Sequence, residues 1–331
     1  MSNRLIAALG LGAAGAVAAS ALTYRRWAAQ PEPEGGAVGV LEGTDGTVET
    51  ADGTTIAYTE AGEPGGPPVV LVHGWTEDRR VWSPVARRLA QAGRRVIAYD
   101  QRGHGASGVG RDGYTIDALA DDLRAVLEGL DLHEVTVAGH SMGGMAAQAL
   151  AVRHPETVSE RVAGLVLVST AASDLGVGAR RERQAAWLFA NAGFQRAISH
   201  PTVGPLLTRG AAGRRPYLSH LRATADMLAN TSVATRTGFL TAMGRLDLTG
   251  GLGGIKVPVT ILVGSRDQLT PVAASRRIAS LINGAHLDVV PDAGHMLTLE
   301  RPELVARWIL DTPGLTSASD DAVNGQARVD A

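Results

Sequence analysis

The stretch Glu134-Val135-Thr136-Val137-Ala138-Gly139-His140-Ser141-Met142-Gly143-Gly144-Met145-Ala146-Ala147-Gln148-Ala149-Leu150-Ala151-Val152 decides the fold. Val135 to Ala138 is small, β-branched and apolar, and reads as a short buried strand. Gly144 to Val152, rich in alanine with methionine, glutamine and leucine, reads as a helix. Between them Gly139-His140-Ser141-Met142-Gly143 sets a serine at a tight strand-to-helix turn. Small flanking residues let the backbone fold sharply there and leave the hydroxyl exposed. In a chain with 41 glycines such a pentapeptide carries weight only when a strand precedes it and a helix follows. Both conditions are met.

Outward from this turn the alternation repeats. Pro68 to Val72, Arg95 to Tyr99, Val162 to Val168, Val257 to Val263 and Leu287 to Val290 are predicted strands. Trp82 to Gln91, Ile116 to Leu130, Pro271 to Leu281 and Arg301 to Leu310 are predicted helices. Upstream, Thr47 to Thr50 and Thr54 to Thr59 are expected to pair across the turn Asp52-Gly53. Short apolar strands separated by helices predict an α/β protein with a mostly parallel central sheet covered on both faces.

The rhythm breaks between Ser173 and Gly254, where the pattern is helical, interrupted by Pro201, Pro205 and Pro216, with no strand-like run. The expected plan is therefore a core over residues 44–172 and 255–311, with an inserted helical cap over 173–254. Residues 312–331, dominated by Gly, Ser, Asp and Asn, read as a disordered tail. Residues 1–43 read as an apolar N-terminal segment followed by a Pro- and Gly-bearing linker.

Composition narrows the chemistry. A formal net charge of -2 gives no reason to expect a nucleic-acid partner. Cysteine is absent, which excludes disulfides, thiolate metal sites and a cysteine nucleophile. The nine histidines form no paired ligand spacing on a recognisable helix, so neither metal nor cofactor is expected. The predicted cap carries ten arginines against four acids. That bias fits an anionic or membrane-surface substrate, or simply a solvated, arginine-rich surface.

Leu5 to Tyr24 is a run of 20 residues without a charge, between Arg4 and Arg25-Arg26. As a helix it is long enough to span a hydrocarbon core. The expectation is membrane association through residues 5–24 and a membrane-anchored location. Cleavage near Ala19-Ser20-Ala21 would instead make it an export signal, and an apolar helix packed on the rest of the protein is the third reading.

Acyl transfer needs a nucleophile, a base, an acid to orient the base and donors for the oxyanion. Ser141 is the candidate nucleophile. Asp267 follows the strand ending at Gly264, in the loop at a strand's carboxyl end where ligands meet parallel sheets. His295, in Pro291-Asp292-Ala293-Gly294-His295-Met296, follows the last strand and is the candidate base. Asp292 is too local to reach the far side of the ring, and Asp288 should point along a strand. The Met142 N–H at the start of a helix and the Trp75 N–H in His73-Gly74-Trp75 are the expected oxyanion donors. His73 and His140 read as structural hydrogen-bonding residues, and His104 as shaping its loop. Trp187, Leu188 and Phe189 of the cap are expected to line an apolar substrate pocket.

These residues carry a resemblance. His73-Gly74-Trp75, Asp100-Gln101-Arg102-Gly103-His104-Gly105-Ala106-Ser107, Gly139 to Gly144, Gly264 to Asp267 and Gly294-His295 resemble the α/β-hydrolase superfamily. The match is to its capped branch of esterases, lipases and cofactor-free haloperoxidase-like enzymes, over roughly Thr47 to Leu310. Serine at position 141 argues against the epoxide hydrolases and haloalkane dehalogenases, which use aspartate at this turn. The resemblance implies a serine hydrolase of carboxylic esters, small-molecule or lipid-like, acting through an acyl-enzyme. It leaves open amide or carbon–carbon hydrolysis and perhydrolase or haloperoxidase-like chemistry. A non-catalytic, membrane-anchored binding protein is the reading from another class.

Overall fold

The computed structural model describes residues 24–30, 38–173, 184 and 186–312. Its strands are β1 (Thr44–Glu49), β2 (Thr55–Gly62), β3 (Pro68–Val72), β4 (Arg95–Tyr99), β5 (Val135–His140), β6 (Val162–Val168), β7 (Val259–Gly264) and β8 (His286–Val290). They form one sheet in the order β1-β2-β4-β3-β5-β6-β7-β8. β1 pairs antiparallel with β2, and β2 with β4; every other pairing is parallel.

Burial explains why the strands look as they do in sequence. Every residue of β5 and β7 is buried, so these strands are continuous runs of small and β-branched residues rather than alternating ones. Edge strand β1 is mostly exposed, with Val48 its one buried residue. The β1–β2 turn closes as Asp52 accepts from the Thr50 hydroxyl (2.6 Å), the Thr54 amide (3.1 Å) and the Thr54 hydroxyl (2.7 Å). Gly53, at φ 87°, supplies the left-handed residue. β7 begins two residues later than its sequence pattern, because Pro258 has no N–H to give the ladder.

Helices cover both faces. Leu119, Leu123 and Val126 of α3 (Ile116–Gly129), Met145 and Leu150 of α4 (Met142–Arg153) and Ile278 of α11 (Val272–Leu281) pack into one core layer. Val85 and Leu89 of α2 (Ser83–Gln91) and Val305 and Ile309 of α13 (Pro302–Asp311) belong to the other. The helix α5 (Pro155–Arg161), which leads into β6, has no counterpart in the sequence reading. A further group of helices interrupts the sheet between β6 and β7. They are α6 (residues 186–190), α7 (Ala192–Ile198), α8 (Val203–Thr208), α9 (Leu218–Asn230) and α10 (Val233–Met243).

This inserted helical cap is tied to loops at the carboxyl ends of the parallel strands. The Trp75 indole after β3 donates to the Arg236 carbonyl (3.1 Å), and the Thr235 hydroxyl donates to the Gly103 carbonyl after β4 (3.1 Å). After β8, the Arg214 amide donates to the Asp292 carbonyl (2.9 Å) and the His295 amide to the Ala211 carbonyl (2.8 Å). Glu300, in α12 (Leu297–Glu300), accepts from the amides of Gly213 (2.9 Å) and Gly294 (3.1 Å), pinning cap to loop a third time.

The expectation of membrane association through residues 5–24, and of a membrane-anchored location, is corrected. No helix among the described residues is long and apolar enough to cross a membrane. Residues 1–23, and with them the export-signal reading, lie outside the described residues, as do 313–331 of the expected tail. The described end of the apolar run has a different fate. Tyr24 opens α1 (residues 24–28), and Trp27 is buried against Leu218 and Leu221 of the cap. The Arg222 guanidinium donates to the Tyr24 hydroxyl (2.6 Å).

Candidate active site

The serine turn is built by close approach. Ser141 connects β5 to α4 at φ 51°, ψ −115°, outside the regions that L-residues favour. Such a conformation costs on the order of 1–3 kcal/mol and persists only where the surroundings enforce it. Here the Ser141 amide donates to the Val168 carbonyl of β6 (2.9 Å), and its carbonyl accepts from the Gly144 amide (3.0 Å) and the Thr170 hydroxyl (2.7 Å). A side chain at Gly139 would collide with the Gly143 carbonyl, and one at Gly143 with the carbonyl of Val72. These two glycines let the turn press down onto β3.

Asp267 and His295 meet in the interior. His295 Nδ1 lies 2.9 Å from Asp267 Oδ2, and each residue is 5% exposed. Asp267 is otherwise fully engaged. Oδ1 accepts from the amides of Leu269 (2.9 Å) and Thr270 (2.8 Å), and Oδ2 from the Thr270 hydroxyl (2.9 Å). Burial works to raise this carboxyl, but the His295 ring and the Thr270 donors outweigh it and hold it below the usual carboxylate range. The competing acids lie elsewhere: Asp288 accepts from the Trp308 indole (3.0 Å), and Asp292 pairs at the surface with Arg266 (3.0 Å). Among the described residues the Ser141 hydroxyl makes no hydrogen bond. His295 nevertheless abuts that turn, its ring centroid 4.9 Å from that of the preceding His140.

The loop after β3 is anchored by groups far apart in sequence. His73 Nδ1 donates to the Gly74 carbonyl (2.8 Å), and its Nε2 accepts the Gln101 amide (2.9 Å). Glu77 Oε2 accepts from the Gly74 amide (2.6 Å) and faces His140 Nδ1 (3.0 Å). His140 Nε2 in turn faces the His295 carbonyl (2.9 Å). Both ring nitrogens of His140 thus meet acceptors, so both carry protons. Burial opposes that charge, but the Glu77 carboxylate and the His295 carbonyl prevail and raise the His140 pKa. A buried ion pair therefore joins the Trp75 loop to the His295 loop. Sequence reasoning foresaw a structural His140 but missed Glu77, whose partner is 63 residues away. Met142 opens α4, where first-turn amides have no partner inside the helix.

The three expected pocket residues separate. Phe189 packs edge-on against Trp75 (5.3 Å between centroids), whereas Trp187 and Leu188 are 68% and 42% exposed. Adjacent helix positions point about 100° apart, so three consecutive residues do not share one face.

His104 supplies a titration signature. Its Nδ1 donates to the Arg102 carbonyl (3.0 Å), and its Nε2 accepts the Thr76 amide (3.2 Å), so the ring is held neutral. Burial, reinforced by His73, lowers its pKa to about 3. The unfolded chain binds this proton near pH 6.5, and the folded chain only near pH 3. Stability from His104 is therefore complete above pH 6.5 and falls as pH drops through that window, by up to about 1.4 kcal/mol per pH unit. Urea unfolding between pH 6.5 and 5 is expected to show this slope, reduced in His104→Gln. Equal slopes in the two proteins would contradict it.

Known proteins share this fold. A sequence profile described as the alpha/beta hydrolase fold matches residues 67–302. A non-heme chloroperoxidase of Kitasatospora aureofaciens is 32% identical over 267 residues, which cover 76% of this chain and 92% of that protein. Among solved structures, an esterase from Exiguobacterium antarcticum superposes with a TM-score of 0.71 at 26% identity, covering 81% of this chain and 98% of its own. The enol-lactonase from Burkholderia xenovorans LB400 gives 0.70 at 26% identity, covering 82% and 100%.

Proposed function

The chain belongs to the α/β-hydrolase family and is a hydrolase-type enzyme, and from that premise we propose that it is a serine esterase working through Ser141, His295 and Asp267. The observation that carries the reading is the buried 2.9 Å contact between His295 Nδ1 and Asp267 Oδ2, set beside a serine held at φ 51°. In this mechanism Nε2 of His295 takes the Ser141 proton as the hydroxyl oxygen attacks an ester carbonyl. The amides of Met142 and Trp75 receive the oxyanion. His295 then protonates the leaving alcohol, and water activated by the same ring releases the acid. Asp267 fixes the ring with its proton on Nδ1, leaving Nε2 free to act as the base.

The direct test is turnover of 4-nitrophenyl esters from acetate to palmitate. Hydrolysis of at least part of the series is expected, with the preferred chain length sizing the acyl pocket. A folded protein inactive across the series but active on amides or carbon–carbon substrates would overturn the ester assignment. Similarity to a non-heme chloroperoxidase supports a second reading, in which hydrogen peroxide replaces water in attacking the acyl-enzyme and releases a peracid. Bromination that requires both peroxide and a carboxylic acid would report it.

A further inference from the structure

Among the described residues two arginines are buried to within 1% exposure, and the protein treats them differently. Arg102 is fully compensated. It forms a two-pronged contact with Asp122 (2.6 and 2.6 Å) and reaches Asp52 (3.0 Å) and the Gly113 carbonyl (3.1 Å). Among the described residues, Arg236 on cap helix α10 meets only neutral acceptors. Its Nε donates to the Thr231 carbonyl (2.9 Å) and its Nη2 to Gln195 Oε1 (2.7 Å), while Nη1 is buried with no partner. A guanidinium does not shed its charge in proteins. An uncompensated buried cation with an idle donor is the feature that calls for an anion.

Its place in the fold says whose anion that is. The Arg236 carbonyl receives the indole of Trp75, the residue whose amide is assigned to the oxyanion. Gln195 follows Phe194, which packs edge-on against Phe189 (5.4 Å), and Phe189 packs against Trp75 (5.3 Å). The Arg236 backbone thus meets Trp75 directly, and the Gln195 on its guanidinium is the sequence neighbour of the aromatic row that reaches Trp75. Gln195 is itself steered, since its Nε2 donates to the Ala229 carbonyl (2.7 Å) and leaves Oε1 facing the arginine. The ten arginines and four acids of residues 173–254 add a general positive bias to the cap.

We propose that Arg236 is the anion anchor of the substrate site, so that the preferred esters carry a carboxylate on the acyl chain, remote from the scissile bond. This rests on the serine-esterase reading and narrows its substrate class. Nη1 has no exposed surface in the present arrangement, so the carboxylate enters while the cap helices are displaced and is enclosed as they settle. Gln195, a neutral acceptor, yields to it on the guanidinium.

The test compares mono-4-nitrophenyl glutarate, which is anionic, with neutral 4-nitrophenyl pentanoate. The intact protein is expected to favour the glutarate in kcat/KM by about tenfold or more, as a charge-assisted hydrogen bond allows. Arg236→Gln is expected to remove most of that preference, mainly through KM, and Arg236→Lys to restore part of it. A ratio of one or less in the unaltered protein, or the same ratio in Arg236→Gln, overturns the proposal. Calorimetry of glutarate against glutaramide on the Ser141→Ala protein reads the site without turnover or an altered arginine. Saturable binding of glutarate alone supports the anchor, and equal binding or none defeats it. Should neither ester be hydrolysed, the esterase reading fails, and the calorimetry still decides the anion site.

Discussion

Replacing Ser141 with alanine is expected to lower kcat on any ester the protein hydrolyses by a factor on the order of 10⁴ or more, with the fold intact. The loss is large because the acyl-enzyme route disappears altogether; the oxyanion donors can then assist only direct attack by water. Stability is expected to survive because the groups that hold the turn are backbone ones. The Ser141 amide and carbonyl are bound by Val168, Gly144 and Thr170, whereas its hydroxyl binds nothing among the described residues. Alanine meets the same backbone restriction at φ 51° as serine does. Kinetics alongside a melting curve separate the outcomes. An unchanged rate removes Ser141 from the chemistry, and a collapsed melting curve shows the hydroxyl to be structural.

Asp267→Asn is expected to cost about 10⁴ in kcat, for a different reason. The Asp267 Oδ1 contacts with the amides of Leu269 and Thr270 survive in asparagine, so the loop keeps its shape. The amide nitrogen then falls at the Oδ2 position, where it presents hydrogens both to His295 Nδ1 and to the Thr270 hydroxyl that formerly donated there. Thr270 has to rotate, and the ring is driven to the tautomer with its proton on Nε2, which cannot accept from Ser141. A fall in kcat with little change in KM and an unaltered circular dichroism spectrum is the expected pattern. Full activity in Asp267→Asn would show that another group orients His295.

Much of this was legible in the chain because the chemistry is local to strand ends. Val69 to Val72 and Val135 to Ala138 announce parallel strands through continuous burial, and Ser141, Asp267 and His295 each follow a strand by a few residues. Closeness to His295 told against Asp292 and strand direction against Asp288, and the structure brings Asp267 to the ring. What stayed hidden depends on contacts across the sequence. Glu77 gains meaning only when β3 and β5 lie side by side and bring His140 to it. Arg236 looks like one arginine among ten until its burial and its missing carboxylate are seen. Just past the apolar run, Trp27 finds a protein surface on α9, a contact across the sequence that no local pattern announces. Trp187 and Leu188 are exposed where Phe189 packs against Trp75, a difference set by the rotation of the helix, which the sequence does not tell.

Intact-mass spectrometry after exposure to a fluorophosphonate reads the nucleophile itself, since the reagent needs an activated serine rather than a particular substrate. One adduct per chain is expected, mapped to Ser141, absent from Ser141→Ala and absent after denaturation. A folded protein that takes up no label, or one whose labelling persists in Ser141→Ala, would contradict it.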